Sequence, residues 1–108
     1  MAGLEVAEIV QAGIGHMENW LKQHGFNAIE INIWQAGSGE IKANGHKENI
    51  IVQVKTVLKP NQQVITNGTD RFALKDLALR LERVPYLATL IIDEDKNLIG
   101  EINWERLD

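Results

Sequence analysis

The 108-residue chain contains no cysteine, which excludes disulfides, thiolate metal sites and a thiol nucleophile. It also lacks long apolar runs: none approaches the roughly 20 residues that a membrane-spanning helix needs, so no membrane association is expected. Arg and Lys are absent before Lys22, and Glu5 and Glu8 interrupt the start. A secretory leader is therefore not expected, and the cytoplasm is the expected address. There is no linker, internal repeat or low-complexity tract, and Gly and Pro together occupy only 11 positions. A composition of 44% hydrophobic and 24% charged residues excludes a disordered, collagen-like or coiled-coil chain. One domain over residues 1–108 is expected, large enough to bury roughly two-thirds of its unfolded surface.

Acidic residues outnumber basic ones, giving a net charge of −4, which argues against a passive nucleic-acid coat. The charge is unevenly spread. From Lys42 to Arg83 there are eight basic and four acidic residues, whereas the remainder holds three basic and eleven acidic ones. Such asymmetry suits a polyanion-facing side on an acidic protein, and equally suits an ordinary solvated surface.

Periodicity supplies the elements. Leu4, Ala7, Ile9, Val10, Ile14, Met17, Trp20 and Leu21 recur at helical spacing and predict an amphipathic helix, weakened in its middle by Gly13 and Gly15 and capped by Gly25. Ala28 to Trp34 alternates Ile29, Ile31 and Ile33 with Glu30 and Asn32, the pattern of a strand with one buried face. Gly37-Ser38-Gly39 reads as a turn, Glu40 to Ala43 as a short strand, and Asn44-Gly45 as a hairpin turn. Ile50 to Leu58 is nearly continuous in apolar residues and predicts a central strand. Pro60 to Gly68 reads as a polar loop. Asp70 to Arg83 reads as a second helix with Asp70 as N-cap and Phe72, Leu74, Leu77, Ala78 and Leu81 as core. Tyr86 to Ile92 then predicts a strand, Asp93 to Asn97 a turn, and Leu98 to Asn103 its hairpin partner. The fold class is α/β: one domain with a mixed β-sheet flanked by helices, in the order α-β-β-β-α-β-β.

The chemistry concentrates between Glu40 and Lys55. Gln53 and Lys55 lie two apart on an apolar strand and so leave the same face. Glu40 sits across the Asn44-Gly45 turn at about the same level. A carboxylate, an amide and an ammonium so placed can hold a hard divalent cation through oxygen, with Lys55 orienting or acidifying a water. A plain Glu–Lys pair with Gln53 bonded to backbone satisfies the same spacing.

The residues Gly15-His16-Met17-Glu18, then Gly39-Glu40-Ile41, then Ile50-Ile51-Val52-Gln53-Val54-Lys55-Thr56, in the order α-β-β-β-α-β, resemble the PD-(D/E)XK nuclease superfamily. The phrase WLKQHGF before the first strand and YLATLIID after the second helix are similar as well, so the resemblance covers nearly the whole chain. Gln53 in place of the usual Glu resembles the Mrr-like restriction-endonuclease branch, and its place thirteen positions after Glu40 resembles the superfamily's short hairpin joining the two active strands, as the motif order resembles resolvase-like endonucleases. The resemblance implies a restriction-endonuclease-like fold and a small endonuclease hydrolysing DNA phosphodiesters with Mg²⁺ or Mn²⁺. It implies Glu40 as the main metal carboxylate, Gln53 and the Val54 carbonyl as further ligands, Lys55 as the water-positioning cation, and Glu18 as an outer group. Glu18 is equally placed to pair with Lys22 one helical turn on. Gln53 removes a full negative charge from the ligand set, which favours the alternative of a non-catalytic descendant that binds nucleic acid or a protein, or serves as an assembly subunit.

Under the nuclease reading, Lys42, Lys47, Lys59, Arg71 and Lys75 are expected to neutralise phosphates. A homodimer or a partner subunit would position the substrate, with the apolar first helix as an interface. Other signals carry no chemistry: Asp93-Glu94-Asp95-Lys96-Asn97 lacks the Gly and the bidentate Glu of a calcium loop. His16, His24 and His46 lack zinc-ligand spacing, and Ser38 lacks a base. Trp20, Trp34 and Trp104 read as packing residues.

Overall fold

A computed structural model describes residues 6–34, 38–59 and 68–108. The elements run α1 (Val6–Gln23), β1 (Asn27–Trp34), β2 (Ser38–Asn44), β3 (Asn49–Leu58), α2 (Gly68–Leu81), β4 (Val84–Ile92) and β5 (Asn103–Arg106). The five strands form one sheet in the order β1-β2-β3-β4-β5, with β3 and β4 parallel and the other neighbours antiparallel. The result is the expected α/β fold, compact, with a mixed sheet and two helices. Among the described residues no helix is long and apolar enough to cross a membrane.

Each helix covers one face. The α1 stripe of Val10, Ile14, Met17 and Leu21 packs on Ile41, Ile50, Val52, Val54, Ala88 and Leu90. On the other face Leu74 and Ala78 of α2 meet Ile51, Leu87 and Leu107. β3 is buried on both faces, which is why its sequence is apolar at consecutive positions rather than alternating. The apolar stripe of α1 is 0–4% exposed and is spent on the core.

α1 runs unbroken through Gly13. A β-carbon there would lie 1.7 Å from Thr56 Oγ1, so the missing side chain lets the helix approach β3. Gly25 ends the helix as expected: its φ is +86°, its N–H donates to Lys22 O at 3.3 Å, and Phe26 N–H donates to Leu21 O at 3.0 Å. This paired bonding satisfies carbonyls that the helix end would otherwise orphan.

Several boundaries differ from expectation. Ser38 and Gly39 belong to β2 rather than to a turn. The β2–β3 hairpin forms, but its loop takes Gly45 to Glu48, closed by Gly45 N–H donating to Glu48 O at 3.0 Å. A register shift between Asn27 and Glu30, with Ala28 at φ +51°, puts a bulge into edge strand β1, and Ile31 is 40% exposed on it. In α2, Phe72 and Leu81 are not core: they are 72% and 40% exposed. Phe72 lies two positions before Leu74 and so points about 200° away from the buried stripe, while Leu81 falls in the last turn, beyond which Glu82 reverses the chain at φ +56°. The partner of β4 is Asn103–Arg106 and not Leu98 to Asn103. Leu98 makes a single bridge to Ile92, and Gly100 at φ +72° interrupts pairing until Asn103. The Asp93–Asn97 segment is the expected turn, with Asp93 Oδ1 accepting from the Asp95 and Asn97 N–H groups at 2.8 and 3.0 Å. The loop expected over Pro60 to Gly68 lies outside the described residues up to 67, as do the side chains of Asp70 and Trp34.

Candidate functional site

Register places the predicted residues. Glu40 on β2 is the direct cross-strand partner of Gln53 on β3, so both side chains leave the same face, the one covered by α2. Continuing along the same line, Asn32 pairs with Glu40 on one side and Leu87 with Gln53 on the other. Lys42 is two positions from Glu40, and Lys55 two from Gln53, so both ammonium-bearing chains rise from that same face on either side of the pair. Val54 points into the α1 core, which leaves its backbone carbonyl between Gln53 and Lys55.

Glu40 and Gln53 are only 4% and 3% exposed, the only polar or charged side chains among the described residues that are so buried. The Glu40 carboxylate has Lys42 Nζ at 4.0 Å, the outer limit of an ion pair. Gln53 Oε1 is fully buried and has no hydrogen-bond partner among the described residues. An orphaned buried amide oxygen costs about 1–3 kcal/mol, and a buried carboxylate held by one distant ammonium is also expensive. A carboxylate oxygen, an amide oxygen and a main-chain carbonyl are the hard donors that Mg²⁺ or Mn²⁺ prefers. The donor types present at the pair are thus ones a divalent cation takes. Among the described residues no three His, Asp or Glu side chains converge.

The register sets Glu40, Gln53 and Lys55 on one face of two adjacent strands. It does not bring Glu18 to them. Glu18 rides on α1, which packs on the opposite face of the sheet, and it takes Lys22 Nζ at 3.1 Å, the i,i+4 partner that the sequence also offered. Asn32 went unnoticed as a site residue. The signal was present in β1, where Glu30 and Asn32 form the polar phase of the strand's alternation, and pairing with Lys42 and Glu40 carries that phase onto the site face.

The basic segment is partly committed elsewhere. Arg71 forms a two-pronged bond with Glu105 that ties α2 to β5, one prong at 2.8 Å, and this guanidinium holds the Glu105 carboxyl below the usual range. Arg80 pairs with Asp76 at 2.9 Å. Arg83 donates to Ala43 O, Asn44 Oδ1 and Ile50 O at 3.1–3.2 Å, clamping the mouth of the β2–β3 hairpin. Lys42 faces Glu40. Of the five cations expected to meet phosphates, Lys47, Lys59 and Lys75 are exposed, Lys42 is half-buried, and Arg71 is occupied.

No protein-family model matches the chain, and no curated protein matches it.

Proposed function

We propose that the chain is a small metal-dependent endonuclease of the PD-(D/E)XK type, with a restriction-endonuclease-like arrangement and DNA phosphodiesters as substrate. The observation that carries this reading is the buried Oε1 of Gln53, without a hydrogen-bond partner among the described residues, set directly across the sheet from the Glu40 carboxylate. Two oxygen donors kept from water, one of them unsatisfied, are a costly arrangement for a fold to retain unless a ligand completes it. The α-β-β-β-α-β order and the Glu40, Gln53, Lys55 placement on adjacent strands support the same reading.

In this scheme Glu40, Gln53 and the Val54 carbonyl would hold a Mg²⁺ or Mn²⁺. When bound, such a cation supplies Lewis acidity to a phosphate oxygen and lowers the pKa of a water. Lys55, two residues beyond Gln53 on the same face, orients the attacking water and offsets the charge that develops on the phosphate. Lys42, with its Nζ 4.0 Å from the Glu40 carboxylate, lies beside the same oxygens. With one domain carrying the chemistry, a second copy or a partner subunit positions the duplex.

The test is cleavage of plasmid, single-stranded and four-way-junction DNA in Mg²⁺ or Mn²⁺, with Glu40→Ala and Lys55→Ala in parallel. Cutting that needs the cation and is lost in both variants establishes the activity and its site. No cutting with salt-sensitive DNA binding retained replaces it with a second reading, a non-catalytic nucleic-acid-binding descendant. That reading draws on one observation: at 4% and 3% exposure the Glu40–Gln53 pair is nearly closed to a substrate.

A further inference from the structure

The largest fully buried side chains among the described residues are all aliphatic or Met, and none is aromatic. The aromatics gather elsewhere. Four of the six in the chain, Trp20, Phe26, Tyr86 and Trp104, line one surface cleft together with Glu48 and Ile50. The cleft has a volume of about 250 Å³ and lies on the α1 side of the sheet, across from Glu40 and Gln53. All four rings are half-buried: each is anchored on the core and keeps part of its surface towards the cleft.

Geometry and charge define what such a cleft can take. Trp20 and Trp104 have ring centroids 4.8 Å apart and planes inclined at 46°, and Tyr86 stands at 90° to Trp104 with centroids 5.6 Å apart. At these separations the rings touch one another, so they form one continuous aromatic wall beside the cleft and leave no slot between them for a flat base. The one ionic side chain in the lining is the Glu48 carboxylate, fixed by the Tyr86 hydroxyl, which donates to it at 2.6 Å. Arg106 approaches Glu48 at 3.7 Å, but its Nε is bonded to Asp108 at 2.5 Å, so one cation is shared between two carboxylates. Trp20 is braced from behind by His24, stacked at 3.7 Å and held by its Nδ1 to Trp20 O at 2.7 Å.

Ring faces are regions of negative potential, and tetraalkylammonium ions, whose charge is spread over apolar methyl groups, are bound by aromatic boxes with an acidic rim. We propose that this cleft is a binding site for a small molecule bearing a quaternary or heavily methylated ammonium group, with Trp20, Trp104 and Tyr86 as walls and Glu48 as the counter-charge. The site is independent of the nuclease reading and lies on the other face of the sheet.

The experiment is titration of the full chain with choline chloride and tetramethylammonium chloride, followed by the Trp20 and Trp104 indole N–H resonances. Sodium chloride serves as the ionic-strength control and 3,3-dimethyl-1-butanol as the uncharged isostere of choline. Saturable shifts are expected, with choline binding at least ten-fold tighter than the alcohol. Glu48→Gln, which keeps the shape of the rim, is expected to weaken choline at least three-fold, and Trp104→Leu to abolish saturation while circular dichroism stays unchanged. Equal affinity for choline and the alcohol, or an unaltered choline affinity in a folded Glu48→Gln protein, would overturn the cationic assignment. Absence of saturation would overturn the site. A trimethyllysine peptide that binds ten-fold tighter than choline would overturn the small-molecule assignment.

Discussion

Gly13 of α1 lies so close to Thr56 of β3 that a β-carbon on the glycine would be 1.7 Å from Thr56 Oγ1 and under 3 Å from its Cβ and Cγ2. Helix and strand meet there almost backbone to side chain. Gly13→Ala gains about 1 kcal/mol of helix propensity yet forces α1 off the sheet at a cost of about 1–3 kcal/mol. The expected outcome is a net loss of stability by chemical denaturation, partly restored in the Gly13→Ala/Thr56→Ala double variant, because the Thr56 β-carbon remains in the way.

The orphaned Gln53 Oε1 predicts that activity and stability part company. In chelated buffer, Gln53→Leu is expected to stabilise the fold by about 1–2 kcal/mol, since it removes an unsatisfied buried group. The same variant should lose the rise in Tm that Mn²⁺ gives the unaltered chain. A cation at a hundred times its Kd would contribute about 2.7 kcal/mol, a shift easily read by thermal denaturation. A Gln53→Leu protein less stable than the parent in chelator would show that the amide is held by contacts of its own.

Tyr86 is the only tyrosine in the chain, so phenolate absorbance reports it alone. Burial first, and then its hydrogen bond to the Glu48 carboxylate, push its pKa above the ordinary value of 10.0. In the folded state it holds its proton where the unfolded chain has lost it. The stability this contributes is complete below pH 10 and is lost as pH rises through the folded-state value. Glu48→Gln is expected to lower the spectroscopic midpoint part of the way, leaving the share due to burial, and Tyr86→Phe to flatten the alkaline limb of a stability–pH curve.

Glu82 ends α2 at φ +56°, where Arg83 N–H donates to Ala78 O at 2.9 Å and Glu82 N–H to Leu79 O at 3.3 Å. The bonding repeats the Gly25 cap on α1, but with a residue that has a β-carbon. Relief of that left-handed strain predicts that Glu82→Gly stabilises the protein by about 1 kcal/mol. Glu82→Asn should fall between the two, as measured by denaturant midpoint at unchanged m-value.

Much of this arrangement was legible in the chain. The Gly25 cap, the doubly buried β3 and the facing of Glu40 with Gln53 follow from local rules, namely a left-handed residue after a helix, a non-alternating apolar run and a short hairpin. What escaped was set by distant parts of the molecule. Leu98 to Ile102 looks like a strand, but the Asp93 side chain closes the preceding turn and Gly100 breaks the ladder, so pairing waits until Asn103. Phe72 looks like core because it is large and apolar, yet the sheet selects only the Leu74, Leu77 and Ala78 side of α2. Glu18 shows the same limit at the candidate site: its spacing suits an outer metal group, but only the packing of α1 reveals which face of the sheet it serves.

The single parallel pairing, β3 with β4, sits in the middle of the sheet and joins residues about thirty-four positions apart, as Ile50 is to Val84. The antiparallel pairs beside it are made by near neighbours in the chain. The two halves of the sheet can therefore organise quickly, but they meet only after the long connection that carries α2 has closed against its entropy. Folding speed should be governed at that seam: truncating Val52 or Leu87 should slow refolding, whereas loosening β1 or β5 at the outer edges should chiefly hasten unfolding.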